Sequence, residues 1–205
     1  YKNKTAAKPE EFYEYSFENG LRLNVPGDWN SQAPELKYYE GTVWYARHFN
    51  AQPVDGKRNF LYFAGVSYRC NIYLNGEKIG SHEGSFTPFQ FEVTGKLKHG
   101  GNLLVVEVNN RRQKDAIPAM SFDWWNYGGI TRDVMLVTLP ETYISDYFIR
   151  LDKHRADLIH IDAELSQAVA GRQIKVSLPQ LKRDVTLTTD AEGKAHTQLK
   201  VKGLR

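Results

Sequence analysis

The stretch of this chain best equipped for chemistry is residues 123–134, which read Asp-Trp-Trp-Asn-Tyr-Gly-Gly-Ile-Thr-Arg-Asp-Val. It combines two adjacent tryptophans, a glycine pair and two carboxylates in a connection that leads into an apolar strand. An aspartate can accept charge-assisted hydrogen bonds from two sugar hydroxyls, and an exposed indole can stack on the C–H face of a sugar ring. Loops held by a rigid scaffold are where binding groups usually lie. The segment therefore indicates either sugar recognition or contact with another domain.

Each of these residues also has a structural interpretation. From the residues alone a turn cap is the favoured role for Asp123, because aspartate commonly bonds the backbone of turns. Of Trp124 and Trp125, one ring could pack into its own domain and the other against a partner, since large apolar patches usually mark partner surfaces. Packing is favoured for this pair, and a sugar-stacking platform is the alternative. Gly128 and Gly129 are predicted to supply a positive φ or a close backbone approach.

The elements that must position this segment are strands. Residues 89–94 alternate apolar and polar side chains, the period-2 pattern of a half-buried strand. Residues 103–108 form a nearly continuous apolar run, which is typical of a strand in the middle of a sandwich. Asn75-Gly76 lies between apolar ends and predicts a hairpin, because a type I′ turn needs φ > 0 at both central residues. No long window has helical periodicity, so the sequence predicts an all-β fold, a jelly-roll β-sandwich.

A second block of strands begins near Pro140. Aromatic residues are fewer there and Lys, Arg and Thr more common, with regularly spaced turn signals typical of an immunoglobulin-like sandwich. Such a domain takes about a hundred residues, and residues 141–205 fall well short of that. We therefore expect a jelly-roll domain at 1–140 and an incomplete immunoglobulin-like domain at 141–205, whose exposed edge is an association hazard.

Composition excludes several classes of function. The formal net charge is +3 with both signs scattered, so we expect neither a nucleic-acid partner nor binding to an anionic membrane. The single cysteine, Cys70, excludes a disulfide within the chain and a zinc site of cysteine type. Its apolar neighbours predict a small core residue. The six histidines show no metal spacing, so no metal or cofactor is predicted.

The sequence leaves the compartment open. No apolar run approaches the roughly twenty residues needed to cross a bilayer, and the N-terminus does not resemble a signal peptide. The chain begins without Met, which indicates a processed or truncated piece. We expect a soluble protein, and a secreted or periplasmic parent stays open.

Four short motifs follow one another along the first two thirds of the chain. They read Gly-Thr-Val-Trp-Tyr-Ala-Arg-His-Phe at 41–49, Tyr-Leu-Asn-Gly-Glu at 73–77, Gly-Ser-Phe-Thr-Pro-Phe at 84–89 and Asn-Tyr-Gly-Gly-Ile-Thr-Arg-Asp-Val at 126–134. In this order they resemble the N-terminal sugar-binding jelly roll of family 2 glycoside hydrolases. Residues 141–205 resemble the start of that family's immunoglobulin-like domain. The pattern that begins at Asp123 is most similar to the β-glucuronidases, with the β-galactosidases as the near alternative.

This resemblance implies a retaining exo-β-glycosidase, in which two glutamates about 5–5.5 Å apart act as acid/base and nucleophile. In the family these glutamates lie in a (β/α)₈ barrel of about 250 residues, for which this chain has no room. We therefore expect no catalytic residue here and no hydrolysis by this chain alone. Its expected partners are the barrel of the same polypeptide and the terminal β-linked sugar of a glycoside, and the parent could be a homo-oligomer, as family members often are.

The resemblance also assigns residues to the sugar site. Asp123 resembles the family's aspartate at the active-site mouth that touches the terminal sugar, which reverses the preference for a cap. Trp124 and Trp125 are candidates on the same loop, and Asn110, just beyond the 103–108 strand, is a further candidate for the same mouth. A free-standing carbohydrate-binding module, with Asp123 and both tryptophans as a complete site, is one alternative. A purely structural interaction sandwich is another.

Overall fold

The computed structural model of the protein describes residues 17, 19–117, 119–121 and 123–201. The chain divides into two compact units, residues 1–138 and 139–205. Among the described residues, regular structure consists of antiparallel strands, two short 3₁₀ turns and one four-residue helix, α1 (Trp29–Gln32). The prediction of an all-β fold is confirmed.

The first unit is built around a four-stranded and a three-stranded sheet. Its strands in chain order are β1 (Gly27–Asp28), β2 (Thr42–Ala51), β3 (Lys57–Phe63), β4 (Arg69–Leu74), β5 (Glu77–Glu83), β6 (Phe89–Glu92), β7 (Gly100–Asn109), β8 (Gly129–Ile130) and β9 (Val134–Pro140), the last of which leads out of the unit. The larger sheet has the order β2-β7-β4-β5, the smaller one has the order β6-β3-β9, and β1 pairs with β8 as a separate ribbon.

Local sequence explains the larger sheet. β7 carries the apolar run and lies between β2 and β4, as its pattern predicts for a strand inside a sandwich. The β4–β5 hairpin turns at Asn75 and Gly76, where φ is 53° and 89°, so the expected turn with two positive φ values is confirmed. Cys70 in β4 is buried, which confirms its prediction as a core residue.

The core of the first unit includes one large ring from outside the sheets. Its buried members include Leu61, Phe63, Ile72, Leu74, Val93, Val106 and Val108. Trp29 of α1 belongs to the same cluster and is fully buried. Full burial of a large apolar side chain contributes about 1.5–3 kcal/mol, so this ring holds α1 firmly on the end of the sandwich that carries the candidate loop.

The second unit contains two smaller sheets. Its strands are β10 (Ile144–Leu151), β11 (Leu158–Leu165), β12 (Gln173–Leu178), β13 (Arg183–Thr188) and β14 (Lys194–Lys200). They form a three-stranded sheet of order β10-β11-β14 and the β12–β13 hairpin. The buried cluster of this unit takes residues from β11, β12, β13 and β14, whereas none of its buried members comes from β10.

The inner face of β10 is uncovered. Tyr147, Ile149 and Leu151 pair directly with Ala163, Ile161 and Ile159 of β11. Directly paired residues share one face of an antiparallel sheet. These three side chains of β10 therefore point to the same side as the buried residues of β11, yet all three are exposed. The core face of the three-stranded sheet thus extends beyond what the described residues cover.

Candidate functional site

A row of exposed aromatic rings marks one end of the first unit. Trp124, Trp125 and Tyr127 of the 123–134 segment are all exposed. Tyr38, which follows the 3₁₀ turn Pro34–Leu36, is 77% exposed, and its ring centroid lies 5.3 Å from that of Trp125. The rings of Trp125 and Tyr127 are 6.4 Å apart. We call these four residues the aromatic lip.

Asp123 stands at the head of the lip and is exposed. Within the part of the chain that the structure describes, its carboxylate accepts no hydrogen bond, so it does not act as a turn cap there. Among the described residues, no donor occupies the two carboxylate oxygens of Asp123. That they contact a sugar stays a prediction.

Asn110 lies beneath the lip and is only 1% exposed. Its Oδ1 accepts a hydrogen bond from the Gly41 backbone at 2.9 Å, and its Nδ2 donates to the Asn126 carbonyl at 3.0 Å. Asn126 returns the contact, because its Nδ2 donates to the Asn110 carbonyl. These contacts join the loop to the start of β2 and are those of a positioning residue. The direct sugar contact predicted for Asn110 stays a prediction.

Asn30 in α1 is a second buried anchor, although no pattern in the sequence indicates this role. Its Nδ2 lies 3.0 Å from the Leu36 carbonyl, 3.2 Å from that of Lys37 and 3.3 Å from that of Tyr39. Its Oδ1 accepts from the backbone N–H of Gly128 at 2.9 Å. One buried amide thus fixes the backbone on both sides of Tyr38 and also the far end of the 123–128 loop.

Gly128 and Gly129 fit the backbone too closely for a side chain. A Cβ on Gly128 would lie 2.2 Å from a ring carbon of Trp29, which is closer than carbon atoms can approach. Gly129 has φ +141°, and a Cβ there would lie 2.8 Å from the Gly27 carbonyl oxygen. Backbone bonds complete the fit, since Trp29 N donates to Gly128 O at 2.9 Å and Ser67 N donates to Gly129 O at 2.8 Å. The predicted roles of both glycines are confirmed.

An ion pair and a serine add further links around the lip. Arg112 Nε lies 3.0 Å from Glu40 Oε1, and another guanidinium nitrogen of Arg112 donates to the Trp124 carbonyl at 3.4 Å. Ser67 Oγ donates to the Tyr127 carbonyl at 2.8 Å. The ion pair is partly exposed, so it contributes at most about 1 kcal/mol. Its value to the site is geometric, because it links the loop to the segment after Tyr38.

The rest of the described structure offers little other chemistry. Burial raises the pKa of the Cys70 thiol to about 12, so it is protonated and a poor nucleophile at neutral pH. Among the described residues no group of three or more His, Cys, Asp or Glu side chains could hold a metal ion. None of the helices in those residues is long and apolar enough to cross a membrane.

Comparison with known proteins decides the family. Residues 1–140 match the family described as glycosyl hydrolases family 2, sugar binding domain. The chain belongs to glycosyl hydrolase family 2. The resemblance drawn from the four sequence motifs is confirmed, and the aromatic lip lies within the matched residues.

Three relatives show how far the similarity extends. A β-galactosidase from Thermoanaerobacter pseudethanolicus is 35% identical over 140 residues, which cover 66% of this chain and 19% of that protein. A β-glucuronidase from Bacteroides fragilis is 38% identical over 129 residues, covering 60% of this chain and 18% of that one. The solved structure of Bifidobacterium dentium β-glucuronidase complexed with coumarin-3-O-glucuronide is 30% identical, with a TM-score of 0.76 over 88% of this chain and 37% of that chain. This chain therefore spans about a fifth of the length of the two curated relatives.

Proposed function

We propose that this chain is the N-terminal portion of a retaining exo-β-glycosidase of the β-glucuronidase type, and that Asp123 and the aromatic lip form one wall of its sugar site. The observation that carries the proposal is an exposed carboxylate at the head of an exposed aromatic loop, in a family 2 sugar-binding domain. The solved relative that holds a coumarin glucuronide supports a β-glucuronide as the substrate class.

The chemistry of the wall follows from its residues. Asp123 would accept hydrogen bonds from hydroxyls of the terminal sugar, each worth roughly 1.5–3 kcal/mol when the acceptor is charged. Trp124, Trp125 and Tyr38 would offer ring faces to the sugar or to the group linked to it. The buried anchors Asn30 and Asn110 would keep this wall in place before the ligand arrives, which lowers the entropy cost of binding.

The proposed organisation extends beyond this chain. Residues 1–140 would be the sugar-binding jelly roll, and residues 141–205 part of an immunoglobulin-like domain that further strands of the same polypeptide complete. The uncovered inner face of β10 supports this, because an apolar core face at a sheet edge calls for a covering layer. A catalytic barrel of about 250 residues would supply both glutamates of the retaining reaction. The chain alone would then bind or scaffold, and would not hydrolyse.

The test is a kinetic comparison in the full-length protein with an aryl β-glucuronide as substrate. Asp123→Ala is expected to lower kcat/KM by about a hundredfold or more, because two charge-assisted hydrogen bonds together amount to roughly 3 kcal/mol or more. Asp55→Ala is the matched control, since Asp55 is exposed in the turn between β2 and β3. Equal kcat/KM in both variants would contradict the proposal that Asp123 contacts the sugar.

A β-galactosidase is the second candidate, and the identity of 35% to the Thermoanaerobacter pseudethanolicus enzyme favours it. The same full-length protein would separate the two by its turnover of aryl β-glucuronide and aryl β-galactoside. Faster turnover of the galactoside would replace the glucuronidase assignment but keep the role of Asp123.

A free-standing binding module is distinguished with the 205-residue chain itself. The close pair of exposed rings, Tyr38 and Trp125, is what favours this candidate. A complete site would give saturable heats with a β-linked oligosaccharide in titration calorimetry, and Trp125→Ala would abolish them. Heats that do not change as oligosaccharide is added would favour the other proposal, in which this chain supplies only one wall of the sugar site of a larger enzyme.

A further inference from the structure

Two Asn-Gly dipeptides occur in the chain, Asn19-Gly20 and Asn75-Gly76, and the fold places them in contrasting surroundings. This dipeptide is chemically labile, because glycine has no Cβ and its backbone nitrogen can approach the side-chain amide of the preceding asparagine. We propose that Asn19 is a site of spontaneous deamidation in the folded protein, and that the fold protects Asn75 from the same reaction.

The reaction needs only water. The backbone nitrogen of Gly20 attacks Cγ of Asn19, so that a new C–N bond closes a five-membered imide. The bond between Cγ and Nδ2 of Asn19 breaks, and Nδ2 leaves as ammonia with the proton given up by the glycine nitrogen. Water then opens the imide at either carbonyl carbon, which yields aspartate or isoaspartate at position 19.

Asn19 is exposed, and so is Gly20. Within the described residues the Asn19 side chain makes no hydrogen bond, so its amide can rotate towards the Gly20 nitrogen. One backbone bond restrains that nitrogen, since it donates to the Phe17 carbonyl at 3.0 Å. A single hydrogen bond in an exposed turn opens readily. The attacking atom and the attacked carbon can therefore meet without disturbing the core.

Asn75 is held at both ends of its amide. Its Nδ2 donates to the Lys96 carbonyl at 3.1 Å and to Asn102 Oδ1 at 2.9 Å. Its Oδ1 accepts from the backbone N–H of Leu103 at 3.0 Å, and its own backbone N–H donates to the Leu103 carbonyl at 2.8 Å. Turning Cγ onto the Gly76 nitrogen would break these side-chain bonds together, and it would leave Asn102, which is buried, without one of its partners.

The expected difference in rate follows from those bonds. We expect Asn19 to deamidate at least ten times faster than Asn75 in the folded chain. A tenfold ratio corresponds to about 1.4 kcal/mol, which one or two ordinary protein hydrogen bonds supply. In the unfolded chain the two sites share the same dipeptide and lose these contacts, so their rates should converge.

The modification would change the surface of the first unit. It lowers the formal net charge of the chain from +3 by one. An isoaspartate also inserts an extra backbone carbon two residues after Phe17, whose ring packs on a cluster that contains Tyr73 and Val105. Deamidated protein should therefore separate by ion exchange as a distinct, ageing-dependent species.

The experiment uses the chain as it is. Samples are incubated in mildly alkaline buffer with and without urea, digested with trypsin, and analysed by mass spectrometry for conversion of amide to acid in the peptides that hold Asn19 and Asn75. Asn19→Gln is the control, because attack on the longer glutamine amide would form a less favourable ring, and it should remove the new ion-exchange species. A native ratio of tenfold or more that collapses in urea supports the proposal. Equal native rates, faster reaction at Asn75, or a ratio that persists in urea would overturn it.

Discussion

Replacing Asn30 with alanine removes a buried side chain that ties the two halves of the aromatic lip together. The substitution deletes the contacts of Nδ2 with three carbonyls and the acceptor for the Gly128 N–H. Two of those carbonyls keep another donor, since Leu36 O accepts from Tyr39 N at 3.0 Å and Tyr39 O accepts from Trp29 Nε1 at 3.4 Å. The third carbonyl, that of Lys37, belongs to an exposed residue and can turn to water. The buried N–H of Gly128 is the donor that loses its acceptor.

The expected loss of stability follows from these broken contacts. A buried donor without a partner costs about 1–3 kcal/mol, and the net loss of the remaining bonds adds roughly 1 kcal/mol. We therefore expect Asn30→Ala to lower the free energy of unfolding of the first unit by about 2–4 kcal/mol. The loss should come from the end of the sandwich that carries the lip, because all four partner groups of the amide lie there.

Urea unfolding followed by tryptophan fluorescence measures this effect in the right unit. All four tryptophans precede residue 138, so the signal reports the first unit. Asn50→Ala is the matched control, because Asn50 is an exposed asparagine in β2, and surface changes of this kind usually stay within about 0.5 kcal/mol. If the two variants unfold at the same urea concentration with the same slope, Asn30 is not an anchor of the lip.

Three further predictions concern other parts of the first unit. Gly128→Ala should destabilise it by about 1–3 kcal/mol or more, because the added Cβ meets the immobile ring of Trp29. Hydrogen bonding to Arg58 lowers the pKa of Glu92 to about 2, so its stabilising contribution is present above the unfolded pKa of about 4.3 and lost as pH falls towards 2. The unfolding free energies of wild type and Glu92→Gln should therefore differ near pH 7 and converge near pH 2. The difference near pH 7 should be less than about 1 kcal/mol, because the Glu92 side chain is 38% exposed. Because Cys70 is buried, it should react with iodoacetamide only after unfolding, as mass spectrometry of the intact protein would show.

Each of these has a result that would contradict it. Gly101→Ala is the control for the glycine, because nothing lies within 4 Å of a Cβ there, and a similar loss in both variants would argue against the clash. A difference in unfolding free energy between wild type and Glu92→Gln that grows as the pH falls would contradict the second prediction. Rapid alkylation of Cys70 in folded protein would show that the thiol is accessible.

Local patterns were sufficient to predict the strands and the hairpin. The alternation at 89–94, the apolar run at 103–108 and the Asn75-Gly76 turn each express a rule that acts over a few residues. Their outcome in β6, β7 and the β4–β5 hairpin depends little on distant parts of the chain. The two glycines of the 123–134 segment were predictable for a similar reason, since a Gly-Gly pair in a loop indicates a backbone constraint.

The anchors of the lip could not be predicted in the same way. The hydrogen bond between Gly128 N and Asn30 Oδ1 joins residues 98 positions apart, and that between Gly41 N and Asn110 Oδ1 spans 69. The sequence Asp28-Trp29-Asn30 indicates the start of a helix. Only the tertiary fold directs the Asn30 amide towards the 123–128 loop. Tyr38 was missed because a single exposed tyrosine carries no periodic signal, and its meaning depends on the ring of Trp125 beside it.

The uncovered face of β10 bears on a property unrelated to sugars, the colloidal behaviour of the isolated 205-residue chain in concentrated solution. Among the described residues, Tyr147, Ile149 and Leu151 lie on a strand at the edge of its sheet. Two copies of the isolated chain could pair along this edge and bury these side chains together. Attraction between copies should then depend on the second unit. Light scattering would register it as an apparent molecular mass that rises with protein concentration. Ile149→Lys would weaken that attraction while leaving the residues of the aromatic lip unchanged.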